Sequence, residues 1–190
     1  MSAVVQEQRR LHTGRHQHPD DGSCLMEYVS MLAGHSFTDA PRCTDLLLAE
    51  LARMVNDTIG DRARSSLVGL APRLVALPRA PHRAAAPSIV VAALDVVLRG
   101  RPDRTDLLRH RRRALRIAAT GEPRHRLLAH LKDGFYRHGP ARHALACAVY
   151  VATEHPGPNA EPDTVLAAML DASMAVLEES TAKAGTLVHA

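Results

Sequence analysis

The stretch Ser88–Arg99, SIVVAALDVVLR, decides whether this chain contains a sheet. Ile89–Val91 and Val96–Val97 are β-branched, the nearest thing to strand material in the sequence. Between them stand Ala92, Ala93 and Leu94, which favour helix, and Asp95 is the segment's only acid. The reading is a central buried helix, with a strand as the alternative. If it is a helix, nothing else in the chain supplies a sheet, and the fold class is all-α: a compact bundle of about seven to nine helices.

Working outward, the segment is preceded by PRAPHRAAAP, 78–87, the strongest linker in the sequence, which separates an N-terminal half from a C-terminal half. With 190 residues in all, the two halves are expected to form one helical domain over 23–190. Residues 1–22 are polar and His-rich without a sustained period, and read as an arm with a turn at Pro19–Gly22. Ser23 can cap a helix running to Ala33, where Leu25, Tyr28, Val29 and Leu32 stand at i, i+3, i+4, i+7 and Gly34 supplies the stop. A second helix spans about Cys43–Ile59, and the pair is expected to pack as an antiparallel hairpin. A third begins at Asp61 and is bent or shortened by Pro72. C-terminal to the central segment, helices are expected over Asp103–Ala119, Glu122–Tyr136, Gly139–Glu154 with Pro140 in its first turn, and about Glu161–Lys183.

The totals narrow the class. Hydrophobic residues make up 46% of the chain but aromatics only 3%, so the core must be built from Ala, Leu and Val. No apolar run reaches the roughly 18 residues that a membrane-spanning helix needs. Three cysteines, an odd number with no secretory leader ahead of them, point to a reducing cytoplasm. The formal charge of +4 is unevenly spread. Ten arginines lie between Arg99 and Arg126, whereas six acids face only Lys183 from Glu154 onward.

Two constellations could carry chemistry. The first lies around Cys24 and Cys43. Thiolate and imidazole are natural zinc ligands, and His12, His16, His18, Cys24, His35 and Cys43 could supply four, but without paired spacing no metal or other cofactor is expected here. Cys24 near a helix start, where the dipole lowers a thiol pKa, with His35 as base and Glu27 one turn on, forms a candidate catalytic set. Glu27 itself is expected to be solvated, on a flank away from the apolar stripe.

The second constellation is basic. Arg109, Arg112, Arg113 and Arg116 fall at i, i+3, i+4, i+7 and share one helical stripe, the footprint of an anion- or phosphate-contacting helix. Arg111 falls on the apolar side of the same helix and should snorkel or be clamped by a carboxylate such as Asp95 or one from the acidic C-terminal helix.

The run from Gly22 to about Leu77 resembles a segment of small bacterial proteins with no assigned activity, of the form C-x-M-E-x-V-x-x-L-A-G, a polar link, then P-x-C and a helix ending in N-D. The matching positions are Cys24, Met26, Glu27, Val29, Leu32, Ala33, Gly34, Pro41, Cys43, Asn56 and Asp57. The resemblance implies a unit that can be combined with other sequence, and no catalytic role. The expected function is a soluble binding or regulatory module acting on a protein or anionic partner, which includes a second copy of the chain. Two alternatives stand beside it: a small enzyme of specialised metabolism with a pocket lined by Cys24, Glu27, His35 and Arg111, and nucleic-acid binding through the arginine stripe.

Overall fold

The structure, a computed structural model, describes residues 10–77, 85–120 and 126–188, the side chains of 126–129 and 183–188 excepted. The described residues contain no strand; a lone backbone bridge joins Leu11 to Ser23. Everything else regular is helical, so the fold is all-α. Seven helices have eight residues or more: α1 (Leu25–Leu32), α2 (Leu46–Thr58), α5 (Ala85–Gly100), α6 (Thr105–Ala119), α7 (Arg126–Tyr136), α8 (Arg142–Glu154) and α9 (Pro162–Val188). Two short ones, α3 (Asp61–Arg64) and α4 (Ala71–Ala76), flank a 3-10 turn over Ser65–Leu70, and Pro72 lies in the first turn of α4.

The deciding segment is α5. It begins three residues before Ser88, with Pro87 in its first turn, and packs most extensively on α9, then on α6 and α8. Ile89, Val90, Ala93, Leu94 and Val97 are buried along it, which covers the helix on several sides and explains why its sequence is apolar almost throughout. Of the 78–87 linker, 85–87 belong to this helix, and 78–84 lie outside the described residues. One continuous core takes in Leu48 and Leu51 of α2, Leu74 of α4, Leu94 of α5 and Leu166 and Met169 of α9, so it draws on both halves of the chain.

Local chemistry sets the helix boundaries. Cys24, not Ser23, is the N-cap of α1, with extended backbone, and Glu27 at the third helical position accepts the Cys24 N–H at 2.8 Å. Gly34 at φ +70 ends the helix, and the His35 N–H closes back onto the Ser30 carbonyl. Asp45 caps α2 by accepting the N–H groups of Leu47 and Leu48. Between α7 and α8 the backbone winds wider over Arg137–Ala141, with Pro140 inside that turn and not at the start of a separate helix.

Of the arm expected over 1–22, residues 1–9 lie outside the described residues and the rest is not free. Residues 10–22 are docked on the body: Leu11 is buried, the His12 N–H bonds the Ser23 carbonyl, and the Gly14 N–H bonds Asp57 Oδ1 at 2.8 Å. The chain returns through Gly22, whose φ is +114 and whose missing Cβ would lie 2.4 Å from His12 Nδ1.

Gly22 and Gly34 therefore make a matched pair. At Gly34 nothing lies within 4 Å of the place a Cβ would take, so Gly34→Ala should cost only the left-handed backbone penalty, about 1–2 kcal/mol. Gly22→Ala adds a clash with the His12 ring and should lower stability by more, measured as the shift in urea unfolding free energy.

Candidate functional site

The first constellation is built around Glu27. Its carboxylate is fully buried and accepts hydrogen bonds from the Cys24 N–H at 2.8 Å, the His16 N–H at 2.7 Å and the His16 ring Nδ1 at 2.8 Å. A carboxylate only accepts, so Nδ1 carries the proton of that last bond. Glu27 is thus not solvated: the flank of α1 expected to face water is covered by the returning 10–22 segment. Next to it Asn56, also buried, accepts the Leu25 N–H through Oδ1 and donates through Nδ2 to the His12 carbonyl and to Asp57. Arg64 then bonds the Asn56 and Ile59 carbonyls and Asp61. One polar network fastens the N-terminal segment to α1, α2 and α3.

Burial works to raise the pKa of Glu27, but the hydrogen bonds from the Cys24 amide and from His16 outweigh it, and the group is held below its ordinary value. The Cys24 thiol behaves in the opposite way. Burial pushes it up to about 12, and the adjacent Glu27 charge adds to the rise. The capping position that was expected to activate Cys24 is therefore offset by desolvation, and the thiol stays protonated.

The candidate catalytic set does not assemble. Cys24 and Glu27 face the closed interior, whereas His35 is exposed and lines a groove with Ser36, Thr38, Pro41 and Arg42. Arg111 is elsewhere, clamped through Nε and a second nitrogen by Asp95 of α5, one of the outcomes expected from its position on α6. The zinc-ligand set drawn from His12, His16, His18, Cys24, His35 and Cys43 forms no cluster among the described residues, and all three cysteines are free thiols.

Beside the network lies a cleft of about 650 Å³, lined by Arg10, His12, His16, Arg62, Arg64 and Ser65 among others. The His12 and His16 rings meet edge to face with centroids 5.7 Å apart. Glu27 orients His16 as an acid orients a catalytic imidazole, but no hydroxyl or thiol of the described residues is hydrogen-bonded to that ring. The arrangement holds the N-terminal segment in place.

The arginine stripe is real as a surface. Arg109, Arg112, Arg113 and Arg116 are all exposed on α6, and among the described residues none meets a carboxylate. Their neighbours differ. Arg101 is held by Asp103 and Arg104 by Asp106, each through two nitrogens, and Arg111 by Asp95.

Two features were not read from the sequence. Asp45 of the α2 cap is buried against Arg137, at 2.8 Å, and Arg137 also bonds Asp133. The two partners are far apart in the chain, and no local pattern marks them. The second is His110 of α6 with His143 and Cys147 of α8, whose ligand atoms all lie within 4.8 Å of one another. Here a signal existed: His143 and Cys147 stand at i, i+4, a spacing that is visible only when histidines and cysteines are scanned together.

Comparison of the chain with protein-family models, with curated proteins and with solved structures finds no match. Among the described residues no helix is long and apolar enough to cross a membrane.

Two outcomes follow from the Glu27 network. Glu27→Gln should destabilise the protein by about 1.5–3 kcal/mol near neutral pH, the worth of a hydrogen bond to a charged group. Because the folded pKa is lowered, this contribution is present above the unfolded value of about 4.3 and is lost as pH falls through the folded one. Urea unfolding across that range should show the wild-type advantage shrinking with acid. Separately, a thiol reagent at neutral pH should label Cys43 and Cys147 in the native protein and reach Cys24 only after unfolding.

Proposed function

We propose that this protein is a soluble module that binds an acidic protein partner through the arginine face of α6. One observation carries the reading: along a single stretch Arg101, Arg104 and Arg111 are neutralised by carboxylates, while Arg109, Arg112, Arg113 and Arg116 remain exposed and unpaired among the described residues. Four like charges on one stripe repel one another, and an arrangement of this kind is favourable chiefly when an opposite charge comes to meet it.

The support for a protein, and against a nucleic acid, is geometric. α6 is laid along α5 and also touches α8, and its arginine face is turned outward. Leu115 is exposed on the same helix, and α7, the next helix in the chain, exposes Leu131 and Phe135 at i, i+4. An acidic polypeptide can cover such apolar groups, whereas a phosphodiester backbone gains little from them. A reducing cytoplasm, in which Cys24, Cys43 and Cys147 stay thiols, is the compartment this reading assumes.

The test is fluorescence anisotropy with a labelled poly-glutamate peptide and, in parallel, a labelled DNA duplex. Four exposed charge contacts at about 0.2–1 kcal/mol each sum to about 1–4 kcal/mol, so changing Arg109, Arg112, Arg113 and Arg116 together to Gln should weaken peptide binding at least about fivefold. Added salt should weaken the wild type in the same direction. Unchanged peptide binding by the variant would contradict the reading, and preferential, salt-steep binding of the duplex would replace it with nucleic-acid binding.

A further inference from the structure

We propose that His110, His143 and Cys147 form a binding site for one divalent cation of the zinc class, joining α6 to α8. The proposal is independent of the arginine face and rests on donor chemistry and distance. His143 and Cys147 lie one turn apart on α8, with Cys147 Sγ 3.6 Å from His143 Nε2. A tetrahedral ion with Zn–N of about 2.0–2.1 Å and Zn–S of about 2.3 Å spaces nitrogen and sulfur about 3.5 Å apart, so these two atoms already stand at the length of a coordination edge. His110 faces them from α6. Its ring lies edge to face with the His143 ring at 5.3 Å, and its ligand atom falls within the same 4.8 Å group. A small side-chain rotation brings it to coordination distance.

Two imidazoles and a thiolate are borderline-to-soft donors, the set that favours zinc over calcium or magnesium. Their burial is graded: His110 and Cys147 are half-buried and His143 is exposed, so the fourth position opens to solvent, as in sites that retain a water. Binding would take a lone pair from each imidazole and displace the Cys147 thiol proton. The charged groups nearest the donors are Asp106 and Arg104, which pair with each other, and Arg113.

This cluster differs from the thiol and imidazole crowd at the N-terminal end of the chain in its geometry. Cys24 is sealed under Glu27, and His35 faces another groove. Here three donors from two packed helices meet at one point near the surface.

The test is cobalt(II) titration of the reduced full-length protein, followed by absorbance. One equivalent should bind with a thiolate-to-cobalt charge-transfer band and the intense visible bands of a tetrahedral ion. Cys147→Ser should abolish the charge-transfer band, and Cys43→Ser should leave it unchanged. His143→Ala, at an exposed position where folding is not at risk, should weaken binding at least tenfold, as should His110→Ala, with helicity checked by circular dichroism. Zinc should displace the cobalt and bleach the bands. The proposal is overturned if the wild type shows no charge-transfer band, if the band survives Cys147→Ser, or if His143→Ala binds cobalt as tightly as the wild type.

Discussion

Glu27 is a carboxylate with no exposed surface, held by two backbone N–H groups and one imidazole. Moving an ion of this kind out of water costs several kcal/mol unless its lone pairs are occupied, so the donors must come to it. One comes from its own helix, the Cys24 N–H of the cap. The other two come from His16, which fixes the path of a segment that has no apolar period to guide it. Asn56 extends the arrangement by bonding both the start of α1 and the His12 carbonyl, and Arg64 ties Asn56 to the α3 turn. The N-terminal segment is thus placed by hydrogen bonding to one buried charge, with Leu11 as its main apolar anchor.

The same rule applies at a second buried carboxylate, Asp45, and an exposed cluster of ion pairs stands apart from it. Asp45 at the start of α2 is buried and met by Arg137 from the turn before α8, and Arg73 of α4 reaches Asp171 and Glu178 of α9. These ties join the two halves of the chain where the apolar core of Leu48, Leu94 and Leu166 also joins them. Against that background the four guanidinium groups of α6 that meet no carboxylate among the described residues share one stripe, while Arg101, Arg104 and Arg111 of the same stretch are each held by one. The functional reading follows from that difference in treatment more than from the number of arginines.

Much of the fold was legible because it rests on local signals. Apolar spacing located α2 and α9, Gly34 marked the end of α1, and Arg111 on the apolar side of α6 was expected to snorkel or meet a carboxylate, which Asp95 supplies. The site was less legible, for a definite reason. On the α1 wheel Glu27 lies on a flank whose fate depends on what covers it, and the covering segment is polar, with turns at Gly14 and Gly22 that periodicity does not register. The apolar stripe was read in the main: Leu25 and Val29 are buried and Tyr28 packs on the core, while Leu32 at its end is 41% exposed and Met26, outside it, is buried. Asp45 with Arg137, and His110 with His143 and Cys147, are formed by helices brought together in space, where sequence separation conceals the partnership.

The central claim is that the His-rich segment is part of the folded body because a buried carboxylate holds it there. Amide hydrogen exchange at His16 and Cys24, resolved residue by residue by NMR, tests it most directly. Both N–H groups should exchange slowly, with protection comparable to that of the α1 amides and falling together with them in mild denaturant. Exchange of the His16 amide at the rate of an unstructured chain, with α1 still protected, would contradict the account.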